Sequence, residues 1–227
     1  MDARIGLQVG VLHERDVPGA VEGGADRLLL ATEDGLSPDL GAVSSVLREA
    51  DVPVRVVLRL NDSHTTTGGE FARLVGLGHE FAALGAEGLV FGFLDRDLEV
   101  DVTTCRALAD GLPGAPWTFS TALDACLEPA RAWRRVAGLP GLDGVMSAGS
   151  PRGAAVGYDD LLALVRSDEQ AAALLVACGG VVPEQVPWLA RAGTRWFHVA
   201  DQVRPGASYR AYVDPGHVRA WRMLLDS

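Results

Sequence analysis

A few side chains in this sequence are of types that could do chemistry: an arginine, a histidine and two cysteines, set among short glycine and serine stretches. Arg59 closes the apolar and basic run 54–59. A guanidinium there either forks onto a carboxylate or phosphate ligand or pairs with an acidic neighbour such as Asp124 or Glu70. It needs one or the other, because an unpaired buried charge is costly. His198, in Trp196-Phe197-His198-Val199, could ligate a metal, move a proton near neutral pH, or rest in an internal hydrogen bond. Cys126 and Cys178 offer soft sulfur that, with His198, would suit Cu(I). Small cysteines are also ordinary core residues, which is the expectation for Cys105. Gly179-Gly180 ahead of Pro183, and Ser147-Ala148-Gly149-Ser150, could turn backbone N–H groups toward an anion, or could simply be tight loops. Gln8, Ser120 and Asp124 complete the polar candidates. His64 lies in the polar loop 61–69, and His13, His79 and His217 are expected to be exposed or helical.

These residues have to be positioned by elements, and the chain alternates two kinds. Apolar runs of strand length fall at 5–9, 27–31, 54–59, 88–92, 117–120, 144–147, 174–178 and 196–200. Helical patterns follow at 17–23, 38–50, 69–84, 102–109, 128–137, 158–166, 183–192 and 215–225. Strand–helix alternation implies parallel pairing. Eight units of about 28 residues make a single-domain α/β fold over residues 1–227, a TIM (β/α)8 barrel with an eight-stranded parallel sheet. Local signals agree. Gly35 can take a positive φ, Ser37-Pro38 has the form of an N-cap followed by a first-turn proline, and Gly85, Gly138 and Gly193 suit left-handed helix ends. Strand parity predicts that Arg4, Gly6, Gln8 and Gly10 face the barrel axis, as do Arg55, Val57 and Arg59. The C-terminal mouth, where barrel active sites sit, is then lined by Gln8, Leu29, Arg59, Gly92, Ser120, Ser147, Cys178 and His198.

Composition excludes several partners. The net charge is −10, the wrong sign for a nucleic-acid backbone or an anionic membrane surface. No apolar run is long enough to span a bilayer. The start, MDARIGL, has no leader-like pattern, so a cytoplasmic protein is expected. Three cysteines without a CxxC pair argue against a disulfide framework or structural zinc. A homo-oligomer is expected, a dimer favoured, with Trp133, Trp188 and Trp221 as interface candidates. The basic run 131–135 is expected to be a solvated helix face.

Residues 24–41, GADRLLLATEDGLSPDLG, resemble the CutC family, whose segment reads GADRVELC and then GGLTPSLG. The resemblance continues through Gly69-Glu70-Phe71, residues 85–92, Asp124, Ser147-Ala148-Gly149, Gly179-Gly180-Val181, His198 and Tyr212-Val213-Asp214. It implies a TIM-like barrel and a role in copper homeostasis, with copper as the metal handled or bound. The polar signature differs. The family's first-strand glutamate is Gln8 here, and the nearby cysteine is Gly10. The second-strand glutamate and cysteine are Leu29 and Ala31, the RPR motif survives as Arg59, and FHRAFD becomes Phe119-Ser120-Thr121-Ala122-Leu123-Asp124. An inherited acid–base pair would lack its titratable members. Two main functions stand side by side: copper binding or handling in a divergent CutC-like barrel, or a barrel enzyme or binding protein for a small anionic metabolite. In the second, Arg59 orients the anion, Gly180, Gly149 and Ser147 lend donors, and His198 moves a proton. A noncatalytic barrel acting as an assembly partner is a third possibility.

Overall fold

Short apolar stretches buried on both faces can be satisfied only inside a sheet covered by helices, and that is what the strands form. The structure is a computed structural model that describes residues 4–112 and 114–227. In chain order the elements are β1 (Gly6–Val11), α1 (Val17–Glu22), β2 (Arg27–Leu30), α2 (Leu40–Glu49), β3 (Val54–Val57), α3 (Gly68–Leu84), β4 (Gly88–Phe91), α4 (Val102–Asp110), β5 (Trp117–Phe119), α5 (Pro129–Ala137), β6 (Leu142–Ser147), α6 (Ala154–Ser167), α7 (Glu169–Leu174), β7 (Leu175–Ala177), α8 (Val186–Arg191), β8 (Trp196–Val199) and α9 (Pro215–Leu225). The eight strands run parallel in sequence order and close into a barrel, the TIM (β/α)8 architecture expected. The helix α7, fused to the start of β7, is an addition to the simple alternation.

The closure fixes the register around Gln8. Gln8 of β1 lies opposite Arg27 of β2 on one side and His198 of β8 on the other. Most of the core sits between strands and helices, while a smaller cluster of Leu29, Val57, Val90, Met146, Val176 and Cys178 fills the barrel itself. Toward the N-terminal face the interior is ionic. Buried Arg55 binds Glu87 at 2.8 Å and also pairs with Asp143 and Thr118. These carboxylates hold its pKa above the ordinary guanidinium value despite burial. Gly6 makes room for Trp196, whose ring would lie 2.5 Å from a Cβ there.

Helix ends differ in detail from the sequence expectation. Gly85 and Gly193 are left-handed, with φ of 106° and 109°, but Gly138 has φ −90° and closes α5 without that turn. Asp39, not Ser37, caps α2, accepting from Ala42 N at 2.9 Å. Ser37 instead brackets the end of β3. Its N–H donates to Arg59 O at 2.8 Å, and its hydroxyl accepts from Arg59 N at 2.8 Å. Arg4 turns away from the barrel axis and is exposed, pairing with Asp26 at 3.2 Å. Of the tryptophans proposed for an interface, Trp133 and Trp221 are buried and only Trp188 is exposed. The basic residues of the 131–135 run lie on a solvated helix face as expected, with Arg131 and Arg135 also pairing with Glu99.

Candidate functional site

The C-terminal mouth of the barrel opens on a cavity of about 210 Å³. Its floor is apolar, made by Leu29, Val57, Val90 and Met146, and its polar lining includes Arg59, Ser120, His198, Tyr209 and, at the exposed rim, Glu33. Pockets for drug-sized ligands run to roughly 300–1,000 Å³, so this space suits a smaller molecule.

His198 is set by a line of hydrogen bonds reaching across the barrel closure. Arg27 Nε donates to Gln8 Oε1 at 2.7 Å, and Gln8 Nε2 lies 3.1 Å from His198 Nδ1. Arginine can only donate, so the Gln8 oxygen must face it. The Gln8 amide therefore presents N–H to Nδ1, and the imidazole proton sits on Nε2. Arg27 is itself buried, stacked on the Trp196 ring at 4.0 Å. Burial, reinforced by the nearby charge of Arg55, lowers its pKa to about 10. For His198, burial first and the Arg27 charge second push the pKa down to about 4, so the ring is neutral at physiological pH. In this tautomer Nε2 carries an N–H that can donate a hydrogen bond.

Arg59 stands two residues past β3, half-buried, and lines the cavity. Neither Asp124 nor Glu70 pairs with it. Glu70 is occupied by Asn61 at 2.7 Å and by the α3 cap, where its carboxylate accepts from Thr67 N at 2.8 Å. The guanidinium donates from Nε to Asn61 O at 2.8 Å and from Nη2 to Asp62 O. These bonds orient the fork and leave Nη1 without a partner among the described residues. Burial pulls the Arg59 pKa below its ordinary value, partly offset by Asp62, and the group stays charged. The same charge, after burial, lowers the His64 pKa in the loop beside it.

The remaining expected residues lie elsewhere. Gln8 is buried beneath His198, not at the cavity wall. Met146 faces the axis, so Ser147, the next residue of β6, faces the helices. There its hydroxyl donates to Asp124 and accepts from Gly149 N at 3.0 Å, while Ala148 N donates to Asp124 at 2.8 Å. Burial raises the Asp124 pKa against these bonds. This cluster joins the loops after β5 and β6, where a Cβ on Gly149 would meet Gly157 O of α6 at 2.2 Å. Gly149 is thus a packing glycine. Gly180 is exposed, away from the cavity, in a loop followed by a helix of only six residues.

The proposed soft-metal trio is not assembled. Cys178 is packed in the apolar barrel interior, and burial raises its pKa well above that of an ordinary thiol. Cys126 lies in the outer layer beside Glu99 and Arg135, raised to about 11, mainly by burial. His198 has its Nδ1 lone pair engaged and a proton on Nε2. Among the described residues no group of three or more His, Cys, Asp or Glu side chains is placed to hold a metal ion. The donor set does not fit copper.

Arg27 and Tyr209 were not among the residues expected at the site. Arg27 carried a signal, an arginine at the inward parity of a buried strand. Tyr209 reaches the mouth from a loop with no local pattern. All 20 basic residues are arginines, so the barrel has no lysine with which to form an imine.

The sequence profile described as the CutC family matches residues 5–203. A curated relative named family protein CutC, from Salmonella schwarzengrund, is 30% identical over 183 residues, spanning 79% of this chain and 73% of the relative. Another from Klebsiella pneumoniae subsp. pneumoniae is 28% identical over 211 residues, covering 87% and 84%. Among solved structures, a CutC protein of Streptococcus agalactiae named for copper homeostasis superposes with TM-score 0.75 at 18% identity, over 86% of this chain and 97% of its own. The homocysteine methyltransferase MmuM from Escherichia coli gives TM-score 0.66 at 14% identity, covering 98% and 97%. These two likenesses are of fold.

Proposed function

The chain belongs to the CutC family, and on that footing we propose that its barrel mouth binds a small organic anion: a monocarboxylate with an apolar body. The observation that carries this is Arg59, a cavity-lining guanidinium that is held by backbone carbonyls and has no carboxylate partner among the described residues. A ligand carboxylate supplies the missing counter-charge, and the floor of Leu29, Val57, Val90 and Met146 accepts the hydrocarbon part. Without a lysine or a titrating histidine at the wall, the mouth is better suited to recognition than to imine or proton-transfer chemistry. Thermal-shift measurement with a series of short monocarboxylates tests it. At a hundredfold excess over Kd the stabilisation is about 2.7 kcal/mol, roughly 5–10 °C for a domain of this size. Arg59→Ala abolishes it. If no carboxylate stabilises the wild type, or if the variant responds equally, the proposal fails.

A role in copper homeostasis is the second reading, supported by the family and by the name of the Streptococcus agalactiae neighbour. In this reading the protein serves that process without ligating copper in its mouth. Three unpaired cysteines suit a reducing cytoplasm, and exposed Trp188 is the natural centre for a dimer contact.

A further inference from the structure

Resting on the carboxylate reading of the mouth, we propose that Arg27 and Gln8 are positioning residues. They lock His198 with its proton on Nε2 and so select a ligand that carries an uncharged acceptor oxygen beside its carboxylate, as a small 2-oxo acid does. The donor sequence runs one way only. Arg27 must donate, Gln8 Oε1 must accept, and Gln8 Nε2 must donate to Nδ1. The only polar atom His198 has left for the cavity is Nε2–H.

The groups around it keep that arrangement. Below the ring lie Gln8 and the charge of Arg27. Beside it Gly10 and Ala200 offer no side-chain acceptor, a Cβ on Gly10 falling 3.3 Å from His198 Cε1. Arg59, Tyr209 and, at the exposed rim, Glu33 share the cavity. A ligand oxygen facing Nε2–H gains a hydrogen bond. A methylene leaves the donor unmatched, and an ammonium sets donor against donor, which a buried polar site rejects. With the carboxylate on Arg59 and the hydrocarbon on the apolar floor, the chemistry that fits these walls is that of a short 2-oxo monocarboxylate.

Two measurements test this. The first needs no variant. Long-range ¹H–¹⁵N correlation on protein labelled at histidine nitrogen is expected to show His198 with bare Nδ1 and protonated Nε2 at neutral pH. A proton on Nδ1, or a mixture of tautomers, overturns the lock. The second is calorimetric titration of 2-oxoisovalerate, isovalerate and valine, three molecules that share one skeleton and differ at the carbon beside the carboxylate. The wild type is expected to favour the oxo acid over isovalerate by about tenfold, the worth of one hydrogen bond, with valine weakest. In Gln8→Leu the preference falls to within about twofold while isovalerate still binds. Gln8→Glu, which can accept from both neighbours, moves the proton to Nδ1 and erases the preference likewise. Equal affinity of the wild type for the oxo acid and isovalerate overturns the selectivity. If none of the three binds, the carboxylate reading itself fails, and the tautomer measurement alone decides the role of Arg27 and Gln8.

Discussion

A histidine that meets a buried arginine through a glutamine resists protonation, and this sets how the protein responds to acid. The folded pKa of His198 is about 4 against about 6.5 when unfolded. Between those values the unfolded chain binds a proton that the folded one does not. Stability therefore falls as pH drops from about 6.5 toward about 4, by at most about 1.4 kcal/mol per pH unit for this group. His64, also lowered by burial and Arg59, adds a slope of the same sign. Urea denaturation in steps from about pH 4 to about pH 7 is expected to show this loss, and His198→Gln to flatten it. Identical slopes in the two proteins would contradict the assignment. Arg59 and His198 were legible in the sequence as inward residues at strand ends, and the structure brings both to one cavity. The direction of the bond between Gln8 and His198 was not legible, because it depends on β1 meeting β8 across 190 residues of chain. Ser147 was misplaced by one step of strand parity, which exchanges the barrel interior for the helix layer.

At the scale of elements, the mouth is closed on one side by the segment 201–214, two short turns that follow β8 and lead to α9. It is pinned by an ion pair with no solvent exposure. Arg204 forks onto Asp16 at 2.7 and 3.0 Å and also donates to Ala211 O at 2.7 Å. Asp16 further accepts from Leu12 N at 2.9 Å and Val213 N at 3.1 Å. Tyr209, on this segment, lies under the Arg204 guanidinium at 5.4 Å and borders the cavity. Removing one partner leaves the other charge buried alone. Asp16→Asn is expected to lower stability by about 3–5 kcal/mol and to weaken carboxylate binding as Tyr209 loosens. An unfolding midpoint within error of the wild type would show that the pair does not hold the segment. The pairing was not legible in the sequence, since the two residues are 188 positions apart and Arg204 reads there as a charge that would attract an anion. Conversely, the strands and most helices were legible, because both depend on local periodicity and on residues such as Gly35, Gly85 and Gly193.

The whole molecule divides along the barrel axis into three levels: an ionic plug around Arg55 at the N-terminal face, an apolar middle, and a mouth that holds Arg59, without a carboxylate partner among the described residues, and the neutral His198. The scaffold is that of the CutC family, while the mouth chemistry follows from Arg59, Gln8 and His198 of this chain. The net charge of −10 repels a polyanion far more than a singly charged ligand, so the Arg59 site suits a small anion. The most direct measurement of that claim is a crystal structure grown with saturating 2-oxoisovalerate. Density is expected in the mouth with the carboxylate on the Arg59 guanidinium, the oxo oxygen within hydrogen-bond distance of His198 Nε2, and the hydrocarbon end on Leu29, Val57 and Met146. A mouth without the acid at saturation, or the acid bound away from Arg59, would contradict it.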